Sequence, residues 1–395
     1  MVLNSRAGSY VKQPAGFRAF IPADLPPDPP IAIDAEFLDL LSKAERNLGR
    51  LDGATSILPN PDLFVTMYVR QEAVLSSQIE GTQSTLQDVL LFEIDKTRTT
   101  GPGPADTEEV INYVASMNYG LKRMSELPIS LRLIREMHGI LLEGVRGSEK
   151  TPGEFRRSQN WIGGSMPSNA TFVPPPVTEM MRALHNFEKF LHDTSLPTLI
   201  HCGLAHAQFE TIHPFQDGNG RIGRLLITFL LCQRGVLHRP LLYLSHYFKL
   251  HRSEYYDRLM DVRNSGSWET WLKFFLRGVC EVSEQATQSA RAIVAMREQH
   301  RALITEKLSN ATYGIRLLDR LFEQPIITVP HAEKLLQCTY LTANRLLDQL
   351  EKLHIVDEIT GGKRNRKFAY TAYLLQFSEL DRPVETPGED TSTEV

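Results

Sequence analysis

A twelve-residue segment at positions 213–224 concentrates chemically active side chains. It reads HPFQDGNGRIGR and contains a histidine, an aspartate, two arginines and three glycines. Apolar sequence of helical character flanks it on both sides, whereas a plain helix–helix connection needs only a few polar residues. A segment of this composition indicates a functional site.

The second half of the segment suits phosphate. A helix is predicted to begin near Arg221, and a helix start offers unpaired backbone N–H groups and the positive end of the helix dipole. Gly218, Asn219 and Gly220 let the backbone approach an anion closely. Arg221 and Arg224 lie one turn apart, and a planar guanidinium group makes paired, charged hydrogen bonds to phosphate oxygens.

The first half of the segment adds a metal ligand and a base. The Asp217 carboxylate could hold Mg²⁺ against phosphate oxygens. A neutral His213 imidazole could take a proton from an attacking hydroxyl group. Each feature alone is more typical of a helix cap, a turn or a solvated face. Their joint occurrence in one loop indicates a polyphosphate site with a metal ion and a base.

The rest of the first 300 residues is predicted to be mainly helical. Residues 1–35 are rich in Pro and Gly and are expected to wrap over the surface, and Gly53 is predicted to end the first helix. An irregular stretch at 153–176 carries turn residues and a few strand formers, which predicts a short hairpin or flap. The apolar periodicity predicts helices, with no strand ladder between them, at 36–53, 62–81, 107–124, 131–145, 178–193, 198–212 and 221–234.

The C-terminal part has a different pattern. One long helix is predicted from Trp268 as a spacer, and residues 311–376 read as three helices followed by a two-stranded ribbon that turns at Gly361-Gly362, which is the winged-helix order. Residues 301–375 carry 11 Lys and Arg against 8 Asp and Glu, a weak excess for a DNA-binding unit. Both DNA binding and a protein-interaction or dimerisation role therefore stay open. The candidate contact residues are Thr339, Thr342, Asn344 and Arg345 and the basic wing at 363–367.

Composition excludes several classes of protein. The 395 residues carry a net charge of −4, which does not favour nucleic acid or membrane as a general partner. No signal peptide is visible, and the longest apolar run, LLITFLLC, is too short to span a bilayer. The cysteines, Cys202, Cys232, Cys280 and Cys338, lack CxxC spacing. A cytoplasmic protein with reduced cysteines is expected.

The segment at 213–224 resembles the signature of the Fic family, HPFx(D/E)GNGRxxR, at every defined position. The resemblance implies a mainly α fold, a Fic-fold helical bundle with a short β-hairpin flap, joined to a small C-terminal winged-helix (α+β) domain. Proteins similar to this one are mostly AMP transferases, which move AMP from ATP to a Ser, Thr or Tyr hydroxyl of a protein. ATP as substrate and Mg²⁺ as cofactor are implied.

The resemblance also implies residue roles. His213 would be the catalytic base, and Asp217 would be the metal ligand. The related Doc group has Lys at the position of Gly220 and acts as a kinase, so Gly220 favours AMP transfer. Tyr255 and Tyr256 would lie near the adenine, with helix packing as the alternative. The residues implied to bind the nucleotide are Glu80, His213, Gly218, Asn219, Gly220, Arg221, Ile222, Gly223, Arg224 and Tyr256, and the flap residues implied to bind the target are Ile162, Gly163, Gly164 and Ser165.

Upstream, the stretch SSQIEGTQ resembles the inhibitory motif of the family, (S/T)xxxE(G/N). Ser76 and Glu80 lie four residues apart and share one face of a predicted helix that ends at Gly81. Without the Fic signature, a polar helix face would be the simpler interpretation. With it, a Glu80 carboxylate paired with Arg224 would remove the cation that faces the γ-phosphate, which predicts an inhibited resting state.

The predicted organisation follows from these motifs. It comprises an N-terminal region with the inhibitory helix at 1–105, a catalytic core at 106–285, a helical linker at 286–310, a winged-helix domain at 311–376 and an acidic disordered tail at 377–395. The main activity is expected to be self-inhibited AMP transfer to a protein target. The alternatives are removal of AMP from the same target, a transcriptional regulator with a nucleotide-sensing Fic body, and a phosphoryl transferase. Self-modification, a homodimer and DNA binding through the winged helix are further expectations, and no membrane partner is expected.

Overall fold

Helices dominate the computed structural model, which describes residues 6–56, 61–94, 104–362 and 364–378. The chain divides into two compact units, Met1–Ala290 and Arg291–Val395. The mainly α fold class is confirmed. The elements up to the unit boundary are β1 Gly8–Lys12, β2 Arg18–Pro22, α1 Ala35–Ser56, α2 Pro61–Ile79, α3 Leu86–Ile94, α4 Pro104–Arg123, α5 Leu131–Leu141, α6 Val177–Leu191, α7 Thr198–Ile212, α8 Asn219–Gln233, α9 Ser245–Leu250, α10 Arg252–Ser265 and α11 Trp268–Lys307, which continues beyond it.

The centre of the first unit is the pair α7 and α8, which pack against each other. Every residue of α7 from Leu199 to Ile212 is buried, and so are nearly all residues of α8 up to Leu231. A helix that is buried all round lies in the interior of a domain. The segment 213–218 joins these two buried helices, so the interior of the unit determines its position.

Helix boundaries agree closely with the periodicity except at two C-terminal ends. The helix predicted at 131–145 already ends at Leu141. The predicted stop at Gly53 is wrong, because α1 continues to Ser56. A glycine inside a helix costs only about 1 kcal/mol, and α1 is held by a buried face that includes Phe37, Ala44 and Leu48. The tertiary contacts of that face outweigh the local preference of a single glycine.

The N-terminal segment contains a hairpin that was not predicted. Strands β1 and β2 pair antiparallel, with Gly8 opposite Pro22 and Lys12 opposite Arg18. Phe20 is fully buried and its N–H donates to the Val173 carbonyl at 2.9 Å. The hairpin therefore lies against the irregular stretch at 153–176 and supports it from outside.

The predicted flap forms with less strand structure than a regular hairpin. Ile162 and Phe172 form one isolated antiparallel bridge, with N–H···O distances of 2.8 and 3.1 Å. Between them, Gly163 and Gly164 have φ values of 68° and 72°, a region that favours glycine. The Asn169 side-chain oxygen accepts hydrogen bonds from the N–H groups of Ser165 and Met166. The flap is thus a turn fixed by side-chain bonds.

The second unit contains the predicted three helices and ribbon, together with elements that were not predicted. Among its described residues, three strands pair antiparallel in the order β3–β5–β4. Gly361 lies between β4 and β5 with a φ of 64°, at the predicted turn. The assignment to the winged-helix class stays a prediction, and residues 379–395 of the predicted tail lie outside the described residues. The elements are α12 Ala311–Leu321, β3 Ile326–Thr328, α13 Val329–Leu336, α14 Tyr340–Lys352, β4 Asp357–Glu358, β5 Lys367–Ala369 and α15 Thr371–Ser378.

In the described part of the chain, no helix combines the length and the apolar character needed to cross a bilayer. The four cysteines are free.

Candidate active site

His213 ends α7 in a left-handed conformation, with φ 48° and ψ 62°. A non-glycine residue in this region is strained unless its surroundings hold it there. Three contacts do so. The His213 N–H donates to Phe209 O at 2.9 Å, and the His213 carbonyl accepts from Arg156 Nε at 3.0 Å and from Asn160 Nδ2 at 3.4 Å. The stretch at 153–176 thus helps to hold the backbone of His213 in this conformation.

The His213 side chain is 17% exposed. Burial lowers the pKa of His213 to about 3, and the nearby Arg263 and Arg156 guanidinium groups act in the same direction. The imidazole is therefore neutral at neutral pH. A neutral imidazole can accept a proton, which is the property that a general base needs.

The turn after His213 is held by Asn219. Its side-chain oxygen accepts from Phe215 N–H at 2.8 Å, and its side-chain nitrogen donates to Phe215 O at 2.9 Å. Gly218 caps the start of α8 with a φ of 76°, and its N–H donates to Asp217 Oδ1 at 2.6 Å. The Asn219 side chain thus stabilises the loop, and the backbone N–H groups at the start of α8 are left for an anion.

His138 supports the same turn from α5. Its ring stacks on Phe215 with centroids 3.7 Å apart and planes 5° apart. Gly153 N–H donates to Nδ1 at 2.9 Å, so Nε2 carries the hydrogen and donates to Asp217 O at 2.9 Å. Burial lowers the pKa of His138 to about 4, so the ring stays neutral and in this tautomer. His138 therefore holds the backbone of the candidate metal ligand.

Asp217 is the carboxylate at the rim of the site, with 38% of its side chain exposed. Among the described residues there is no group of three or more His, Cys, Asp or Glu side chains that could hold a metal ion. Mg²⁺ is commonly held by one or two carboxylates together with substrate phosphates. One exposed carboxylate next to an anion-binding helix start fits that manner of binding.

Arg221 is fully buried and already paired. Its Nη1 lies 3.3 Å from Glu109 Oε2, and its Nη2 lies 3.5 Å from Asp217 Oδ1. Glu109 also pairs with Arg146 and accepts a hydrogen bond from Thr82. Glu109 on α4 thus fixes the orientation of Arg221.

Arg224 contacts the predicted inhibitory motif. Its Nε donates to Ser76 Oγ at 2.8 Å, and its Nη2 donates to Ser76 O at 3.0 Å and to Glu80 Oε1 at 2.7 Å. Burial acts against the charged form of both partners, but the mutual attraction prevails, so the pKa of Arg224 is raised and that of Glu80 is lowered. Gly81 follows with a φ of 101°, and α2 ends at Ile79, two residues before the predicted limit.

A cavity of about 130 Å³ lies between these groups. Ligand pockets commonly measure about 300–1,000 Å³, so the cavity is small for a nucleotide. A Cβ atom added to Gly220 would lie 2.3 Å from Glu80 Oε1, which shows how closely Glu80 approaches the start of α8. The lining residues are Glu80, His213, Gln216, Asp217, Gly218, Asn219, Gly220 and Arg221.

Some of the predicted site residues lie outside this cavity. Ile222, Gly223 and Arg224 are buried within α8, and the flap residues 162–165 lie partly or fully exposed. Tyr255 is buried and its hydroxyl bonds to His206 Nε2 at 2.8 Å, which agrees with the packing alternative. Tyr256 is 40% exposed, and Arg252 lies over its ring.

The sequence reasoning missed the residues that support the site from behind, namely His138, Arg156, Glu109 and Glu210. The first three reach the motif from distant parts of the chain, and no local spacing marks them. Glu210 had a signal, because it lies three residues before His213 on one helix, and residues three apart share a helix face.

Comparison with protein families agrees with this geometry. Residues 38–122 match the N-terminal model of the Fic/DOC family, and residues 128–231 match the model of the Fic/DOC family itself. Over these two ranges the chain matches the Fic/DOC family. The first range includes Ser76 and Glu80, and the second includes the complete 213–224 segment, so the resemblance inferred from the motif is confirmed.

Curated Fic relatives carry the name protein adenylyltransferase Fic. The protein of Drosophila virilis is 31% identical over 200 residues, which is 50% of this chain and 38% of the relative. The Drosophila melanogaster protein is 29% identical over 200 residues, or 50% of this chain and 37% of the relative. The chain thus spans little more than a third of the length of these relatives.

Solved Fic structures share the fold. A Fic family protein from Desulfovibrio desulfuricans superposes with a TM-score of 0.55 at 17% identity, covering 86% of this chain and 97% of that chain. Fic-1 from C. elegans superposes with a TM-score of 0.50 at 24% identity, covering 66% of this chain and 74% of that chain. At these identities the likeness concerns the fold.

Proposed function

We propose that this protein is a self-inhibited protein adenylyltransferase, which moves AMP from ATP to a hydroxyl group of a protein. The observation that carries the proposal is the 2.7 Å contact between Glu80 Oε1 and Arg224 Nη2, next to a cavity that His213 and the start of α8 line. These groups suit a nucleotide site in a closed state. They comprise a base, an anion-binding helix start and a carboxylate in the place of a phosphate.

The phosphates of ATP would bind at the start of α8. The free N–H groups near Gly220 and the Arg221 guanidinium favour an anion there. The exposed Asp217 carboxylate would hold Mg²⁺, which, when bound, neutralises phosphate charge and orients the triphosphate. The relatives named protein adenylyltransferase support AMP as the transferred group.

Neutral His213 would act as the general base. In the transfer step, the target hydroxyl oxygen forms a bond to the α-phosphorus of ATP, and the bond from that phosphorus to the bridging oxygen of the β-phosphate breaks. The hydroxyl proton passes to the free imidazole nitrogen Nε2, and pyrophosphate leaves with the electron pair of the broken bond. The fixed backbone of His213 favours this step, because an error of about 1 Å in the position of a reacting group can cost on the order of 10²-fold in rate.

Glu80 would act as the inhibitor. Its carboxylate uses one of the donors of Arg224 that a γ-phosphate would need. Its negative charge also repels phosphate from the same region. Ser76 holds the other side of the guanidinium group. Full activity therefore requires the Glu80 carboxylate to leave Arg224, by a movement of the side chain or of the end of α2.

The protein target would bind along the exposed flap. Residues 163–165 are exposed and Ile162 is partly exposed, and an extended segment can add to an exposed edge by strand pairing. Self-modification, a homodimer, a cytoplasmic location and DNA binding by the second unit remain parts of the proposal.

The proposal is tested with ATP carrying a radioactive label on either the α- or the γ-phosphate. The wild type, Glu80→Gly and His213→Ala proteins are incubated with Mg²⁺ and each form of ATP, and label on protein is measured. Label from α-labelled ATP alone is expected, weak for the wild type, strong for Glu80→Gly and absent for His213→Ala.

Other outcomes contradict parts of the proposal. Label from γ-labelled ATP would indicate a phosphoryl transferase. Equal labelling of wild type and Glu80→Gly would remove the inhibitory role of Glu80. No labelling, together with Glu80-dependent loss of AMP from a protein that already carries it, would make removal of AMP the main activity.

A further inference from the structure

Glu210 is a buried carboxylate directly behind the candidate base. It occupies the third position before His213 near the end of α7, and it is only 6% exposed. Its Oε2 lies 4.0 Å from His213 Nδ1. Within the described part of the chain, neither Glu210 Oε1 nor His213 Nδ1 has a hydrogen-bond partner. Two adjacent, buried and unpaired polar groups call for an explanation, because such groups are destabilising.

The fold makes room for this carboxylate. A Cβ atom added to Gly223 on α8 would lie only 2.5 Å from Glu210 Oε1. Gly223 belongs to the motif, yet it does not line the cavity. Its lack of a side chain admits the Glu210 carboxylate between the two central helices.

The neighbours of Glu210 determine its charge. Burial raises the pKa of Glu210 to about 7, Arg224 and Arg263 act to lower it, and Glu80 acts to raise it. Tyr255 on α10 also faces the carboxylate, and the pKa of this tyrosine is raised first by burial and then by Glu210. Glu210 therefore ionises near neutral pH, and removal of Glu80 takes away one cause that raises its pKa.

An imidazolium at position 213 needs stabilisation. Burial and two guanidinium groups oppose the protonated ring, whereas the Glu80 carboxylate and, after it, the Glu210 backbone carbonyl favour it. The ionised Glu210 carboxylate, 4.0 Å from Nδ1, also stabilises the protonated ring. It also favours the tautomer with the hydrogen on Nδ1, which leaves Nε2 unprotonated.

We propose that Glu210 is a positioning residue for His213. Its carboxylate holds the hydrogen on Nδ1, keeps Nε2 free to accept the proton of the target hydroxyl, and stabilises the imidazolium that forms. The assignment of that proton transfer rests on the proposed AMP transfer. The electrostatic contact between Glu210 and the ring does not depend on it.

The kinetic test uses the full chain with Glu80→Gly as the parent, so that inhibition does not hide the rate. Glu210→Gln in this parent should lower kcat about 10- to 100-fold, less than the roughly 10²–10⁴-fold effect of a general base itself, with little change in the KM for ATP. The parent rate should rise with pH as Glu210 ionises, with a midpoint below about 7, and this rise should be absent in Glu210→Gln. Glu210→Asp keeps the charge and should restore the pH dependence in part.

A matched control separates this role from a general effect of buried acids. Glu72 is another buried carboxylate with a pKa raised to about 7 by burial, but it bonds to Ser245 and Tyr113. Glu72→Gln should leave the shape of the pH profile unchanged. A merely structural role of Glu210 predicts equal profiles for parent and Glu210→Gln, and that result would overturn the proposal.

A second readout does not require activity. The ring nitrogens of His213 are followed by ¹⁵N NMR in histidine-labelled protein and identified by their loss in His213→Ala. The Nδ1 signal should move as Glu210 ionises in the Glu80→Gly parent and stay still in Glu210→Gln. A parent signal that does not move with pH overturns the proposal, even if the variant fails to fold. If the Nδ1 signal of the parent moves with pH but the parent transfers no label from ATP to protein, AMP transfer is contradicted. The contact between Glu210 and His213 is still supported by that result.

Discussion

Replacing His138 by Phe tests whether this ring must be a neutral hydrogen-bonding group. Phenylalanine keeps a planar ring against Phe215 but removes both nitrogens. The Gly153 N–H and the Asp217 carbonyl then lose their partners. An unsatisfied, partly buried polar group costs about 1–3 kcal/mol. For two such groups, the free energy of unfolding should therefore fall by about 2–6 kcal/mol at pH 7.5.

The pH dependence of this difference follows from the pKa of His138. Burial holds it at about 4 in the folded protein, against 6.5 without burial. Between these values the unfolded chain binds more protons, so the stability contributed by the neutral ring is complete above pH 6.5 and is lost as pH falls toward 4. At pH 5 the loss is about 2 kcal/mol. Because phenylalanine does not titrate, the difference in the free energy of unfolding between wild type and variant should be smaller at pH 5 by that amount.

Urea unfolding at pH 7.5 and pH 5 measures the effect. All three tryptophans, Trp161, Trp268 and Trp271, lie in the first unit, so tryptophan fluorescence reports on the unit that contains His138. Ser116→Ala is a suitable control, since its hydroxyl bonds to Met137 O at 2.9 Å and does not titrate. If His138→Phe lowers the free energy of unfolding by the same amount at both pH values, His138 is not held as a neutral, Nε2-protonated ring.

Three further substitutions test other contacts of the site. Glu109→Gln should raise the KM for ATP about tenfold in labelling assays on the Glu80→Gly parent, because it removes the charge that orients Arg221; an unchanged KM would contradict this. Glu80→Gln should tighten ATP binding in calorimetry about tenfold. In the wild type, inhibition should stay constant from about pH 6 to 9, because the pKa of Glu80 is lowered and its carboxylate stays ionised. Relief of inhibition at pH 6 would contradict the ion pair between Glu80 and Arg224. Gly223→Ala should lower kcat by displacing the Glu210 carboxylate, and a normal kcat would show that this close approach is not needed.

Local sequence was a good guide wherever the signal lay within a few residues. The helices on either side of the motif end and begin within two residues of their predicted limits. Apolar periodicity marks a buried helix whatever it packs against. The N-terminal hairpin was missed because its strands are short and rich in turn-forming neighbours, and its burial depends on Val173, far along the chain.

By itself, the sequence determined the resemblance to the Fic/DOC family, the mainly helical fold, and which residues are candidates for the base, the metal ligand and the phosphate-binding arginines, because these depend on residue type and on spacing within one segment. The tertiary structure alone decided what surrounds them. It brought Glu109 to Arg221 and His138 to Asp217, and it buried Tyr255 beside His206. Such contacts depend on how helices pack, and spacing along one chain segment does not specify the partner on another.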